Sequence, residues 1–209
     1  MSLKIILLGD KNVGKSCLIK QYLYKSFSSE YFPTNSNCNF NKDIQVNNLI
    51  IKTTIWDTNG QKQYKLLDQL FLNNTDIVLL VYDITNMKSY INLKKWYKNL
   101  KNNCDNIKIF GIIANKIDLD FEQIISKEEG ENYAKRINAL FFETSSMQYE
   151  YVDSVFEKLV EKYINDGYNY EIFLKNENNL MNQSIMSSKS ENIRIENDRD
   201  NSKSSSCLK

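Results

Sequence analysis

A chain of 209 residues with a formal net charge of +1 is long enough for one domain with a substantial core plus a tail. Its charge balance gives no reason to expect nucleic acid as a partner. Histidine is absent, so acid–base chemistry falls to another side chain or to the substrate itself.

The four cysteines, Cys17, Cys38, Cys104 and Cys207, lack zinc-like spacing and read as free thiols of a reducing compartment. The apolar start is too short for a secretory leader, and no apolar stretch approaches the ~20 residues of a bilayer span. Ser2 after Met1 excludes N-myristoylation.

Residues 4–8 form a short apolar run and predict a buried strand. A glycine turn follows, then an expected helix over 15–25. Residues 40–46 and 49–56 alternate in polarity around Asn47-Asn48, which predicts a hairpin. The runs 77–82 and 107–113 are continuous and β-branched, like strands buried on both faces. Between them, Ile91, Leu93, Trp96, Tyr97 and Leu100 recur at helical spacing over 89–101. Ser126 with Glu129 three residues later is a capping-box pattern. Residues 140–144 read as a last strand, and 151–164 as a helix with Val152, Val155, Phe156, Leu159 and Val160 on one face. Strand–helix alternation predicts an α/β fold: a doubly wound, mostly parallel six-stranded sheet with helices on both faces. The expected domain spans 1–166. Residues 167–209, rich in Asn, Ser, Glu and Lys, are expected to be a flexible tail, with a short helix near 170–175 as the alternative.

Gly9-Asp10-Lys11-Asn12-Val13-Gly14-Lys15-Ser16 fits G-x-x-x-x-G-K-S/T between a predicted strand and a predicted helix. Successive backbone N–H groups and a helix N-terminus make an anion cradle there. Gly14 permits close backbone approach, Lys15 is expected to bridge β- and γ-phosphates, and Ser16 to ligate Mg²⁺. Gly9, Lys11, Asn12, Val13 and Cys17 complete the expected phosphate contacts. This motif implies a nucleoside triphosphate without choosing the base.

Asn115-Lys116-Ile117-Asp118 resembles the N-K-x-D motif of the Ras-superfamily small GTPases. The resemblance covers residues 3–165 and implies the P-loop small GTPase fold, GTP/GDP as ligand and Mg²⁺ as cofactor. The Asp118 carboxylate can accept from guanine N1–H and the 2-amino group, a donor pair that adenine lacks. Lys116 resembles the lysine that packs over the base. Thr144-Ser145-Ser146-Met147 resembles T-S-A-K, with serine in place of alanine and methionine in place of lysine. The resemblance places the Ser146 N–H on the guanine carbonyl, Met147 against the base by its stem, and Phe27 on the other side.

Asp57-Thr58-Asn59-Gly60-Gln61 resembles D-x-A-G-Q. It implies Asp57 reaching Mg²⁺ through water, the Gly60 N–H on the γ-phosphate and Gln61 as the catalytic residue that orients water. Thr34 fits the interval of the switch threonine that ligates Mg²⁺. Lys11 stands where small residues are usual, and either crowds Gln61 or points into solvent. Ile55-Trp56-Asp57-Thr58 and Leu80-Val81-Tyr82-Asp83-Ile84-Thr85 are similar to Rab segments. That similarity implies a monomeric GTP/GDP switch of vesicle traffic with slow intrinsic hydrolysis; a GTP-locked scaffold is the alternative. Exchange factor, activating protein and effectors are expected at 31–40 and 58–73. The implied location is the cytoplasm, peripheral on the cytosolic face of an endomembrane. Cys207, third from the last residue of the sequence, is either the lipid attachment point or a plain thiol. Six basic and six acidic residues from 167 onward leave no polybasic second anchor.

Overall fold

The computed structural model describes residues 2–28, 37–58, 72–104 and 106–168. Six strands form one sheet: β1 (Leu3–Leu8), β2 (Cys38–Val46), β3 (Leu49–Asp57), β4 (Ile77–Asp83), β5 (Ile109–Asn115) and β6 (Leu140–Thr144). Their order is β2-β3-β1-β4-β5-β6. Only β2 runs antiparallel to its neighbour, paired to β3 from Cys38↔Asp57 to Val46↔Leu49. The other pairings, β1–β3, β1–β4, β4–β5 and β5–β6, are parallel. The expected doubly wound sheet is therefore present, and Asn47 turns the hairpin at φ +54°.

Every residue of β4 and β5 is buried, which explains their unbroken apolar runs. Four helices of the described residues cover the sheet: α1 (Lys15–Tyr24), α2 (Met87–Asn103), α3 (Lys127–Arg136) and α4 (Tyr149–Asn165). One core layer joins Ile6, Leu8, Val78, Leu80, Phe110 and Ile112 of the strands to Leu93, Trp96 and Leu100 of α2 and Tyr133 and Ala134 of α3. Alternation sends the neighbouring strand residues to the opposite face. There Leu79 and Leu159 of α4 crowd the space above Gly111, and Tyr22 of α1 stacks on Phe156 of α4 at 4.0 Å between ring centroids.

Local chemistry sets the helix ends. Asn86 caps α2 by accepting from Ser89 N–H at 3.2 Å. The helix consequently begins at Met87, two residues before its apolar periodicity becomes visible. At α3 the predicted capping box is formed: Ser126 N–H donates to Glu129 Oε2 at 2.9 Å, and Glu129 N–H to Ser126 Oγ at 3.3 Å. β5 extends to Asn115, past the apolar run, because the Asn115 side chain has buried partners.

Candidate functional site

Five of the six strands are parallel, so their C-terminal ends lie along one edge of the sheet, where ligands of doubly wound sheets bind. The turn after β1, Asp57 at the end of β3, Asn115 at the end of β5 and the segment after β6 all reach this edge.

The glycine turn has three left-handed residues: Gly9 at φ +148°, Asn12 at +65° and Gly14 at +97°. A side chain on Gly9 would overlap the Val81 carbonyl of β4, and one on Gly14 the Asn115 amide. Gly14 caps α1 without a side-chain bond, and the first helical turn carries no acid. The cradle therefore suits an anion. Gly14→Ala should lower stability by about 2–4 kcal/mol, through a β-carbon at positive φ and overpacking against a wholly buried Asn115. A thermal melt checks this, and an unchanged Tm would contradict the close approach.

Lys15 is buried, and its Nζ donates to the Gly9 and Asp10 carbonyls, both at 2.9 Å. Burial pushes its pKa down to about 8, opposed by the charges of Asp57 and Asp10. Asp57 is buried too; burial raises its pKa, while a hydrogen bond from Ser16 and the charge of Lys15 lower it. Asp57 Oδ1 has no hydrogen-bond partner among the described residues. A buried orphan carboxylate oxygen beside a serine hydroxyl suits a hard divalent cation with oxygen ligands.

Asn115 ties the turn to the base-side loops. Its Nδ2 donates to the Val13 carbonyl at 2.8 Å and to Ser146 Oγ at 3.2 Å, and its Oδ1 accepts from Thr144 Oγ1 at 3.0 Å. Lys116, at φ +69°, reaches back to Asp83 Oδ2 at 2.6 Å. Asp83 Oδ1 in turn accepts from Thr85 N–H and Oγ1 at 2.9 and 2.7 Å. The exposed Asp118 accepts from Ser145 Oγ at 2.5 Å, and Met147 N–H donates to the same hydroxyl at 3.1 Å. Gln21 of α1 donates from Nε2 to the Met147 carbonyl at 3.4 Å.

The expected phosphate residues Gly9 to Cys17 and the base residues Asn115, Lys116, Asp118, Ser145, Ser146 and Met147 thus share one edge of the sheet. Lys11 and Asn12 are exposed at the tip of the turn, and Met147 is exposed beyond the base loop. Phe27 is 40% exposed, so it is not a core residue. Thr34, Gly60, Gln61 and Cys207 lie outside the described residues, as do most of 31–40 and 58–73. Sequence reasoning missed Asp83 and Gln21 as partners of the base loops. Asp83 had a signal, since it stands in the Rab-like segment 80–85, but its pairing with Lys116 is a tertiary fact.

A Ras family model matches residues 4–165. The chain is 33% identical over 157 residues to Ras-related protein RABA1h of Arabidopsis thaliana, covering 75% of this chain and 72% of that protein. It is 32% identical over 161 residues to Ras-related protein Rab-10 of Caenorhabditis elegans, covering 77% and 80%. It is 31% identical over 163 residues to Ras-related protein Rab-21 of Homo sapiens, covering 78% and 72%. The fold, the convergence of phosphate and base motifs on one edge, and these similarities together place the chain in the Ras family, as a Rab-like small GTPase.

Proposed function

We propose that this cleft binds GTP and GDP with Mg²⁺, and that the chain hydrolyses GTP slowly to GDP and phosphate as a switch in vesicle traffic. One observation carries the reading: a single wholly buried side chain, Asn115, bonds both the phosphate turn at Val13 and the base loop at Ser146. Phosphate and base recognition are thereby built as one rigid unit.

The roles follow from the chemistry at each position. Backbone N–H groups from Gly9 to Cys17 receive the phosphates, and Lys15, placed by the Gly9 and Asp10 carbonyls, bridges the β- and γ-phosphates. Asp118 reads the guanine edge, held in orientation by Ser145, and Ser146 presents its N–H to the carbonyl. Lys116, steadied by Asp83, and Met147 flank the base with Phe27. Ser16 and Thr34 directly, and Asp57 through water, would hold Mg²⁺, which would neutralise charge on the phosphates.

In the reaction, Gln61 orients a water in line with the γ-phosphorus. A new phosphorus–oxygen bond forms, the bond to the β–γ bridging oxygen breaks, and the water proton passes to phosphate oxygen. A chain without histidine needs no side-chain base for this route. Loss of the γ-phosphate would remove the ligand contacts of Thr34 and Gly60 and so reset the partner surface at 31–40 and 58–73. An activating protein supplies transition-state charge worth ~10³–10⁵ in rate. Residues 1–166 would make up the switch domain, with 167–209 outside it. A single lipid on Cys207 would give reversible attachment to the cytosolic face of an endomembrane.

The test is single-turnover hydrolysis of GTP loaded with Mg²⁺, beside a Gln61→Leu variant. The variant is expected to form GDP at least about tenfold more slowly, since water orientation is lost while binding is kept. Equal rates in the two proteins would remove Gln61 from the reaction.

A further inference from the structure

We infer that Asp10 is a positioning residue for nucleotide retention: its carboxylate fastens the phosphate turn to helix α2 through Asn92 and Trp96. The inference rests on the reading of this cleft as a guanine-nucleotide site.

Asp10 occupies a motif position that the phosphate chemistry leaves open. A carboxylate beside an anion site opposes the ligand least when its oxygens are turned away from it. Here both are turned to α2. Asn92 Nδ2 donates to Asp10 Oδ2 at 2.6 Å and Trp96 Nε1 to Oδ1 at 3.0 Å. Both donors stand on the buried face of α2, with Trp96 only 2% exposed and Asn92 8%. Bonds to an ionised acceptor are the stronger class, and these bridge 82 and 86 residues of chain. The backbone of the same residue works on the ligand side, where the Asp10 carbonyl accepts from Lys15 Nζ.

The turn needs such fixing. Three of its first six residues have positive φ, a shape that a free peptide would not keep. Asn115 pins one end at Val13, and Asp10 pins the other to α2. With the second pin removed, the empty turn relaxes, and binding must order it again at the expense of affinity.

A merely structural role for Trp96 would act through core packing, so the test is a double-mutant cycle on GDP release. Release of a fluorescent GDP analogue is measured from the full chain preloaded with Mg²⁺. Trp96→Phe keeps an aromatic side chain, smaller by one ring, and removes the N–H donor; the cycle with Asp10→Ala separates that donor from the lost volume. It is expected to quicken release about fivefold, and Asp10→Ala about tenfold. The double variant should release no faster than Asp10→Ala alone. Asn92→Ala, run through the same cycle, keeps the test available if Trp96→Phe does not fold. Wild-type release from Trp96→Phe, or a fivefold effect that persists in the Asp10→Ala background, would overturn the tether. A folded wild-type protein that retains no guanine nucleotide would instead sink the reading of the cleft. In that event amide exchange at residues 10–14 of the nucleotide-free chain still decides. The tether predicts exchange about fivefold faster in Trp96→Phe, and unchanged exchange overturns it.

Discussion

Asp118→Asn is expected to lower GTP affinity by about 10³-fold and to raise affinity for xanthosine triphosphate. Ser145 Oγ already holds one oxygen of Asp118 at 2.5 Å, which fixes the orientation of the carboxylate in which the proposed base contact would be made. With a carboxylate, that edge accepts from N1–H and from the 2-amino group of guanine. An asparagine amide sets a donor against the 2-amino donor, and neither is satisfied. Xanthine carries an oxygen at that carbon, which accepts from the new amide. Sites that lose a matched hydrogen bond reject the old ligand by ~10⁴–10⁵ when fully buried. Asp118 is exposed, which reduces the penalty. Competition titrations of the two triphosphates read the effect. Unchanged GTP affinity would take Asp118 out of the base site.

Lys15→Ala is expected to lower nucleotide affinity by a similar factor for a different reason. The residue is 6% exposed, and its ammonium is balanced only in part by two carbonyls and the nearby charges of Asp57 and Asp10. Burial disfavours the charged form, and this is why its pKa falls to about 8. A bound polyphosphate supplies the missing negative charge. Two charge-assisted hydrogen bonds contribute about 4 kcal/mol together, close to a 10³-fold change in binding. The nucleotide-free protein should melt within a few degrees of the wild type, because the lost group was itself costly to bury. Isothermal titration with GDP, paired with the melt, separates the two effects. A large fall in the nucleotide-free Tm with affinity preserved would make Lys15 a scaffold residue.

The sheet was legible because β4 and β5 are buried on both faces, so their chemistry is continuous and β-branched. The polar ends of β4 and β5 were not legible as strand. Asp83 and Asn115 close β4 and β5 with side chains that reach Lys116 and Val13, each far along the chain, and apolar patterning stops short of both. The first turn of α2 was hidden likewise, since its cause is the Asn86 cap rather than an apolar face. At the site, local motifs marked the phosphate turn and Asp118. Ser146 was read for its backbone N–H alone, whereas its hydroxyl also meets Asn115 at 3.2 Å. The bonds of Asp10 with Asn92 and Trp96 join segments more than 80 residues apart. No spacing rule reaches that far; only the parallel crossover from β4 to β5 brings α2 over the turn.

The central claim is that one edge of this sheet holds a guanine nucleotide and turns it over. Its most direct test is to load the purified chain with GTP and Mg²⁺, challenge it with excess ATP, and follow the bound nucleotide through a single turnover. GTP is expected to stay bound against ATP and to convert slowly to GDP. Displacement by ATP, failure to load GTP, or GTP that remains intact would contradict it.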